Sequence, residues 1–309
     1  EWVEQKLNDA FKNDTFGCSK IPAIFNQNDF SKLLDMIDNL SYQEQDIIYS
    51  KNKHFNKFPI LSNSLLNENG LHVFRMLLAN IIYYESLQDK TSFNTDGYLV
   101  IPNFLEEKMF RRVKKISNQS IQRAGDIFMS KKYWIDLSPE NEILYQFFDL
   151  PKCQELFKIV NATNSYEFHA KRVERLIHKT NDLQKSTHTD TFHPTIKCWY
   201  FFEDVEENMG PTFYSKGSSV PNLERFKWEY DMSLIAGKSV DKGTSEGSFR
   251  LGPEEQLLKM GYGEMTPIVC QKNSLIVFNT MGFHKRGSAP DGTIRDSLMA
   301  IFRMDPFTL

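Results

Sequence analysis

The sequence predicts a mainly β fold with flanking helices: an antiparallel sandwich or barrel preceded by a helical region. Three observations carry that expectation. After residue 165 the chain becomes a series of alternating or apolar runs, "YEFHAKRVERLIH", "IKCWYFFEDV", "SLIVFNTMGFH" and "SLMAIFRM", each bounded by turn residues. Loops rather than regular helices separate these runs, which disfavours a parallel βαβ sheet. The first ninety or so residues, by contrast, space their apolar side chains at three and four positions, the helical period.

Taken in order, "NDFSKLLDMIDNL" aligns Phe30, Leu33, Leu34, Ile37 and Leu40 as one apolar stripe of a helix. Ser41 followed by Glu44 has the form of a capping box opening a second helix. "GLHVFRMLLANIIYYESL" is apolar nearly all round and predicts a buried helix, with His72 a packed or surface histidine rather than a ligand. Tyr98 to Ile101 is a short strand closed by Pro102-Asn103, and Asn103 with Glu106 is expected to cap the helix that follows. The basic cluster Arg111-Arg112-Val113-Lys114-Lys115 on that helix reads as its solvated face. Residues 217 to 270 interrupt the strands with a Gly-, Ser-, Lys- and Glu-rich stretch that holds a helix over Asn222 to Asp231 and the piece "AGKSVDKGTSEGS". The expected division is a helical extension over 1–93 packed on a β domain over 94–309, with 217–270 a lid or an exposed insertion.

Bulk properties narrow the function. A chain of 309 residues, 40 % hydrophobic and 13 % aromatic, can bury one sizeable core. Its net charge of −3, with both signs interspersed, suggests neither a nucleic-acid nor an anionic-membrane partner. Cys18, Cys153, Cys198 and Cys270 form no CxxC pair, so neither a disulfide framework nor a zinc knuckle is indicated. No run approaches a membrane span, and "EWVEQKLNDAFKND" is too charged for a signal peptide, which leaves the cytoplasm as the default expectation.

The chemistry concentrates in "STHTDTFHPTIKCWYFFEDVEENMGP". His188-Thr189-Asp190 alone could be a polar loop. A mononuclear centre for oxygen chemistry, however, needs two imidazoles and a carboxylate on one face of the metal, with the other positions open. His284, ending an apolar strand, supplies a second imidazole, and Arg295 opens the next strand with Ser297 on the same face. A guanidinium fork beside a hydroxyl suits a bound carboxylate. His193 is a rival ligand five residues after His188, but Pro194 restricts it, and it reads as pocket-lining or structural.

The order of HxD, distal His and Arg closely resembles the phytanoyl-CoA dioxygenase (PhyH-like) branch of the Fe(II)/2-oxoglutarate-dependent oxygenases. The resemblance includes "DGYLVIPNFL", "HTD", "CWYFFEDVEENMGPTFYSKGS", "NSLIVFNTMGFH" and "RDS", and covers about residues 94 to 306. It implies a double-stranded β-helix (jelly-roll, cupin-like) core. It implies that His188, Asp190 and His284 ligate Fe(II), and that Arg295, with Ser297 as helper, holds the distal carboxylate of the cosubstrate 2-oxoglutarate. A basic residue on the strand before HxD would hold the other end. Lys171, Arg172, Arg175 and Lys179 compete for that role, and Lys171 with Arg175 is the favoured pair because strand alternation gives them one face. Trp199 matches a family tryptophan that packs or lines the substrate pocket. The sequence departs from the family pattern where Arg286 stands two residues after His284 and the serine is delayed to Ser288. The implied reaction consumes O2 and 2-oxoglutarate, releases succinate and CO2, and hydroxylates an unactivated C–H bond of a small-molecule substrate. Asp190 favours hydroxylation over halogenation, while desaturation and ring formation stay open. Two other readings are a non-catalytic jelly-roll binding protein and a cupin-like metal enzyme that does not use 2-oxoglutarate.

Overall fold

The computed structural model describes residues 2–17, 20, 72–87, 91–123, 134–138, 142–161, 168–237 and 249–303. The stripe from Phe30 to Leu40, the Ser41–Glu44 box, Cys18 and most of "AGKSVDKGTSEGS" lie outside the described residues. Among the described residues nine strands form two antiparallel sheets: β1 (Tyr98–Ile101), β2 (Trp134–Asp136), β3 (Phe168–Ile177), β4 (Thr195–Phe201), β5 (Thr212–Ser215), β6 (Met265–Ile268), β7 (Ser274–Asn279), β8 (His284–Arg286) and β9 (Ile294–Arg303). The large sheet has the order β1-β7-β4-β9-β3-β2 and the small one β6-β5-β8. His188 bridges to His284 on one side and Arg250 on the other, so the segment around it extends the small sheet past β8. The path from β3 onward therefore passes back and forth between the sheets: β3 large, His188 small, β4 large, β5 and β6 small, β7 large, β8 small, β9 large.

Alternation along the strands divides the large sheet into two faces. Val173, Cys198, Tyr200, Leu275, Val277, Leu298, Ala300 and Phe302 point to the outer face, into the main core. Helices α1 (Trp2–Lys12), α2 (His72–Ser86), α3 (Ser92–Asp96), α4 (Glu107–Arg123), α5 (Glu142–Tyr145) and α6 (Pro151–Asn161) precede β3. Phe110, Val113 and Ile121 of α4, and Cys153, Phe157 and Val160 of α6, cover that outer face. Phe157 and Phe302 meet with ring centroids 4.2 Å apart. Each such fully buried phenylalanine contributes roughly 1.5–3 kcal/mol of transfer free energy. The inner face looks toward the small sheet.

One asparagine locks the entry to β7. Asn273 takes φ +62°, a left-handed conformation that asparagine tolerates. Its side chain accepts from Leu105 N and from the Tyr200 hydroxyl and donates to the Leu105 carbonyl. Asn103 departs from expectation: it also adopts positive φ (49°), and the helix opens only at Glu107. It serves the turn after β1 instead of capping.

Among the described residues two helices lie between β5 and β6. Helix α7 (Leu223–Gly237), six residues longer at its C-terminal end than expected, is followed by α8 (Glu255–Lys259). Arg225 and Glu229 of α7 and His72 of α2 are fully buried. Glu229 accepts from Arg225 Nε and Nη2 with one oxygen and bonds His72 Nε2 at 2.7 Å with the other. His72 is thus a core histidine joining the helical region to α7. The Tyr83 hydroxyl of α2 donates to the Val160 carbonyl of α6.

Candidate metal centre

The spacing of HxD becomes intelligible once the segment is seen as a strand. His188 N donates to His284 O at 2.9 Å and His284 N to His188 O at 3.0 Å, a directly opposed antiparallel pair. Side chains of opposed residues share a face, and so does the residue two further along. Asp190 therefore joins the two imidazoles, with its own N–H held by Thr280 O at 3.0 Å. On the far edge Thr189 N donates to Phe249 O and Leu251 N to Thr187 O, so residues after α7 brace the ligand segment.

The donor atoms are aimed. His188 Nδ1 bonds Ser186 O at 2.7 Å and His284 Nδ1 bonds Gly282 O at 2.9 Å, which turns both Nε2 atoms inward. Each Nε2 lies 3.7 Å from Asp190 Oδ1. One donor atom from each of His188, Asp190 and His284 falls within 4.8 Å of the others, close enough to hold a metal ion. Burial, reinforced by the neighbouring His284, pulls the His188 imidazole down to about 3, so at neutral pH it is uncharged, the form a metal ion requires. Burial alone would raise Asp190, but Lys197 and then the histidines hold its carboxyl well below the usual range. Two imidazoles and a carboxylate suit Fe(II) or a similar borderline divalent ion.

These groups open on a cavity of about 390 Å³ between the sheets. Arg172, Glu174 and Leu176 of β3 line it with Lys197 and Trp199 of β4, Arg286 of β8, and Arg295, Met299 and Ile301 of β9. Arg295 donates to the Gly210 carbonyl and lies over the Phe201 ring. Burial draws its guanidinium down to about 10, against the opposing pull of the Glu174 carboxylate. Ser297 is buried on the same inner face of β9 but does not line the cavity. Trp199 does line it, stacked on Phe278 at 4.8 Å with its indole N–H donating to Glu174 at 3.3 Å.

One expectation is corrected. Lys171 and Arg175 do share a face of β3, but it is the outer one: Lys171 Nζ bonds Asp149 at 2.6 Å and the Tyr145 carbonyl at 3.1 Å under the helices. Arg175 forms a two-pronged pair with Asp296 on β9. The residues of β3 that reach the cavity are Arg172, Glu174 and Leu176. His193 is buried beside Phe192, with Nδ1 at 3.2 Å from the Pro194 carbonyl, and does not line the cavity. Ser288 is exposed, while Arg286 lines the cavity paired with Asp182. Glu174 and Lys197 were missed. The signal that could have found them is parity: Trp199 and Lys197 must share a face of β4.

Among the described residues no helix is long and apolar enough to cross a membrane. No protein-family model and no curated protein matches the chain. Solved structures do show a general likeness. The epimerase SnoN in complex with Fe3+, alpha ketoglutarate and nogalamycin RO is 13 % identical, with a TM-score of 0.46 over 68 % of this chain and 80 % of that one. HygX from Streptomyces hygroscopicus with iron bound is 12 % identical, with a TM-score of 0.45 over 68 % and 83 %. The non-heme alpha ketoglutarate dependent carbocyclase SnoK from nogalamycin biosynthesis is 11 % identical, with a TM-score of 0.44 over 68 % and 81 %. Likeness at this level leaves the chemistry to be argued from the residues themselves.

Proposed function

We propose that this chain is an Fe(II)/2-oxoglutarate-dependent oxygenase on a double-stranded β-helix core, hydroxylating an unactivated C–H bond of a small molecule. The observation that carries the proposal is the convergence of His188 Nε2, His284 Nε2 and Asp190 Oδ1 on one cavity that also contains Arg295. Bound iron with 2-oxoglutarate would supply O2 activation, with succinate and CO2 as co-products. The chain's own part is to hold and to orient. The Ser186 and Gly282 carbonyls fix the tautomer that presents each Nε2. Arg295, anchored to Gly210, would offer its remaining N–H groups to the distal carboxylate. Trp199, Met299 and Ile301 form an apolar wall that excludes water beside the reacting atoms. The test is succinate release from 2-oxoglutarate by Fe(II)-loaded protein in air. Release that is lost in Asp190→Ala and Arg295→Ala supports the proposal; its absence in the wild type under substrate screening contradicts it.

Glu174 favours a second reading, a metal enzyme of the same cavity that does not use 2-oxoglutarate. Its carboxylate faces the cavity and pulls on Arg295, so the guanidinium already has an anion beside it without a dicarboxylate. Metal binding without 2-oxoglutarate binding is the result that selects this reading.

A further inference from the structure

We infer that Lys197 is a positioning residue of the metal centre: it pins the outer oxygen of Asp190, so that the carboxylate ligates through one oxygen. By its charge it also favours an anionic co-ligand at the positions left open. The inference rests on the proposed metal site but not on the identity of the cosubstrate.

Lys197 sits on β4, which is hydrogen-bonded on both sides, pairing with Phe278 of β7 and Ile301 of β9. Its backbone is therefore fixed, and its side chain enters the cavity from the sheet opposite the ligand segment. Nζ lies 2.5 Å from Asp190 Oδ2, while Oδ1 faces the two imidazoles at 3.7 Å. The two carboxylate oxygens are thus divided between the lysine and the metal position. A carboxylate free to swing can chelate with both oxygens, which occupies one more coordination position and leaves one fewer for exchangeable ligands. With Oδ2 engaged, two imidazole nitrogens and one carboxylate oxygen would be left to hold the metal.

Of the other cations lining the cavity, Arg295 is held by the Gly210 carbonyl and three are paired with carboxylates. Arg286 pairs with Asp182, Arg172 with Asp136, and Lys285 with Glu254. Among the described residues, Lys197 and the two histidines are the ion-pair partners of Asp190. The metal centre therefore draws its nearest fixed positive charge from Lys197. That charge offsets the ligating carboxylate and improves the electrostatics of a second anion at the metal.

The experiment compares wild type with Lys197→Arg, Lys197→Gln and Lys197→Met, each first shown by circular dichroism to be folded at the assay temperature. Fe(II) affinity is measured anaerobically by competition with a chromogenic chelator, and 2-oxoglutarate affinity from the spectrum of the Fe(II)-loaded protein. The expected loss of metal affinity in Lys197→Met is about 10- to 100-fold, the usual scale for removing a partner of a metal ligand. Lys197→Arg should restore most of it. Lys197→Gln, which can still donate to Oδ2 but carries no charge, should keep more metal affinity than Met while binding 2-oxoglutarate more weakly than Arg. Unchanged metal affinity in Lys197→Met, or no rescue by Arg, overturns the inference. Wild type that binds Fe(II) but no 2-oxoglutarate removes the oxygenase reading and leaves the metal arm of the inference standing. Wild type that binds no metal removes both.

Discussion

Gly282 stands two residues before His284, and its carbonyl holds His284 Nδ1 at 2.9 Å. A Cβ at this position would lie 1.9 Å from the Tyr214 hydroxyl oxygen, 2.5 Å from Tyr214 Cζ and 3.1 Å from Ser218 Oγ. Tyr214 cannot easily withdraw, because it is fully buried and donates to the Asn279 carbonyl at 2.8 Å. Gly282→Ala therefore forces overpacking, about 1–3 kcal/mol, and disturbs a buried hydrogen bond worth about 1 kcal/mol. The sum, about 2–4 kcal/mol, corresponds to a fall in Tm of roughly 3–6 °C for a chain of this size. Calorimetry measures it. Tyr214→Phe deletes the oxygen that the new methyl would strike, so the double variant should lose less than the two single losses added together. Fe(II) affinity should fall in Gly282→Ala as well, since the carbonyl that orients His284 moves. A melting temperature equal to wild type, or strictly additive losses in the double variant, would refute the packing argument.

Other consequences follow from buried charge. Glu229→Ala leaves Arg225 and His72 buried without their shared partner and should cost about 3–5 kcal/mol, read by chemical denaturation. Glu174→Gln removes a like charge from the cavity and should tighten 2-oxoglutarate binding by about 1 kcal/mol, measured by anaerobic titration; weaker binding would show that Glu174 serves the ligand instead. His178 is buried, among the described residues neither ring nitrogen has a hydrogen-bond partner, and burial followed by Arg295 and Arg286 pulls it down to about 4. Between pH 6.5 and about 4 the unfolded chain takes up a proton that folded His178 refuses, so stability falls as pH drops through that window. His178→Phe should flatten this part of the stability–pH curve, and an unchanged slope would assign the loss to other groups.

Much of the centre was legible because a strand has period two. His188 and Asp190 share a face by spacing alone, and an apolar run ending in His284 is the natural opposing strand. Arg295 and Ser297 obey the same parity on β9. On β3 parity was not decisive: Lys171, Val173 and Arg175 alternate with Arg172, Glu174 and Leu176, and both sets mix charge with one apolar residue. Only the helices packed over Val173 and around Lys171 choose the outer face, and that choice is tertiary. The same limit hid the buried face of α7. Arg225 and Glu229 look like solvated helix residues in sequence, yet they neutralise each other in the interior with His72. Asn103 misled because asparagine serves both caps and left-handed turns, and the turn won. Strands as short as β5 and β6 carry too few residues for a visible period.

The central claim is that one cavity holds a two-histidine, one-carboxylate metal site together with an arginine for a dicarboxylate. Its most direct test is the anaerobic visible spectrum of metal-free protein after Fe(II) and then 2-oxoglutarate are added, with Asp190→Ala and Arg295→Ala alongside. The expected result is a weak charge-transfer band that needs both additions, is absent in Asp190→Ala, and requires much more 2-oxoglutarate in Arg295→Ala. Measurable Fe(II) binding with no band would contradict the assignment of the cosubstrate, and no Fe(II) binding at all would contradict the metal centre itself.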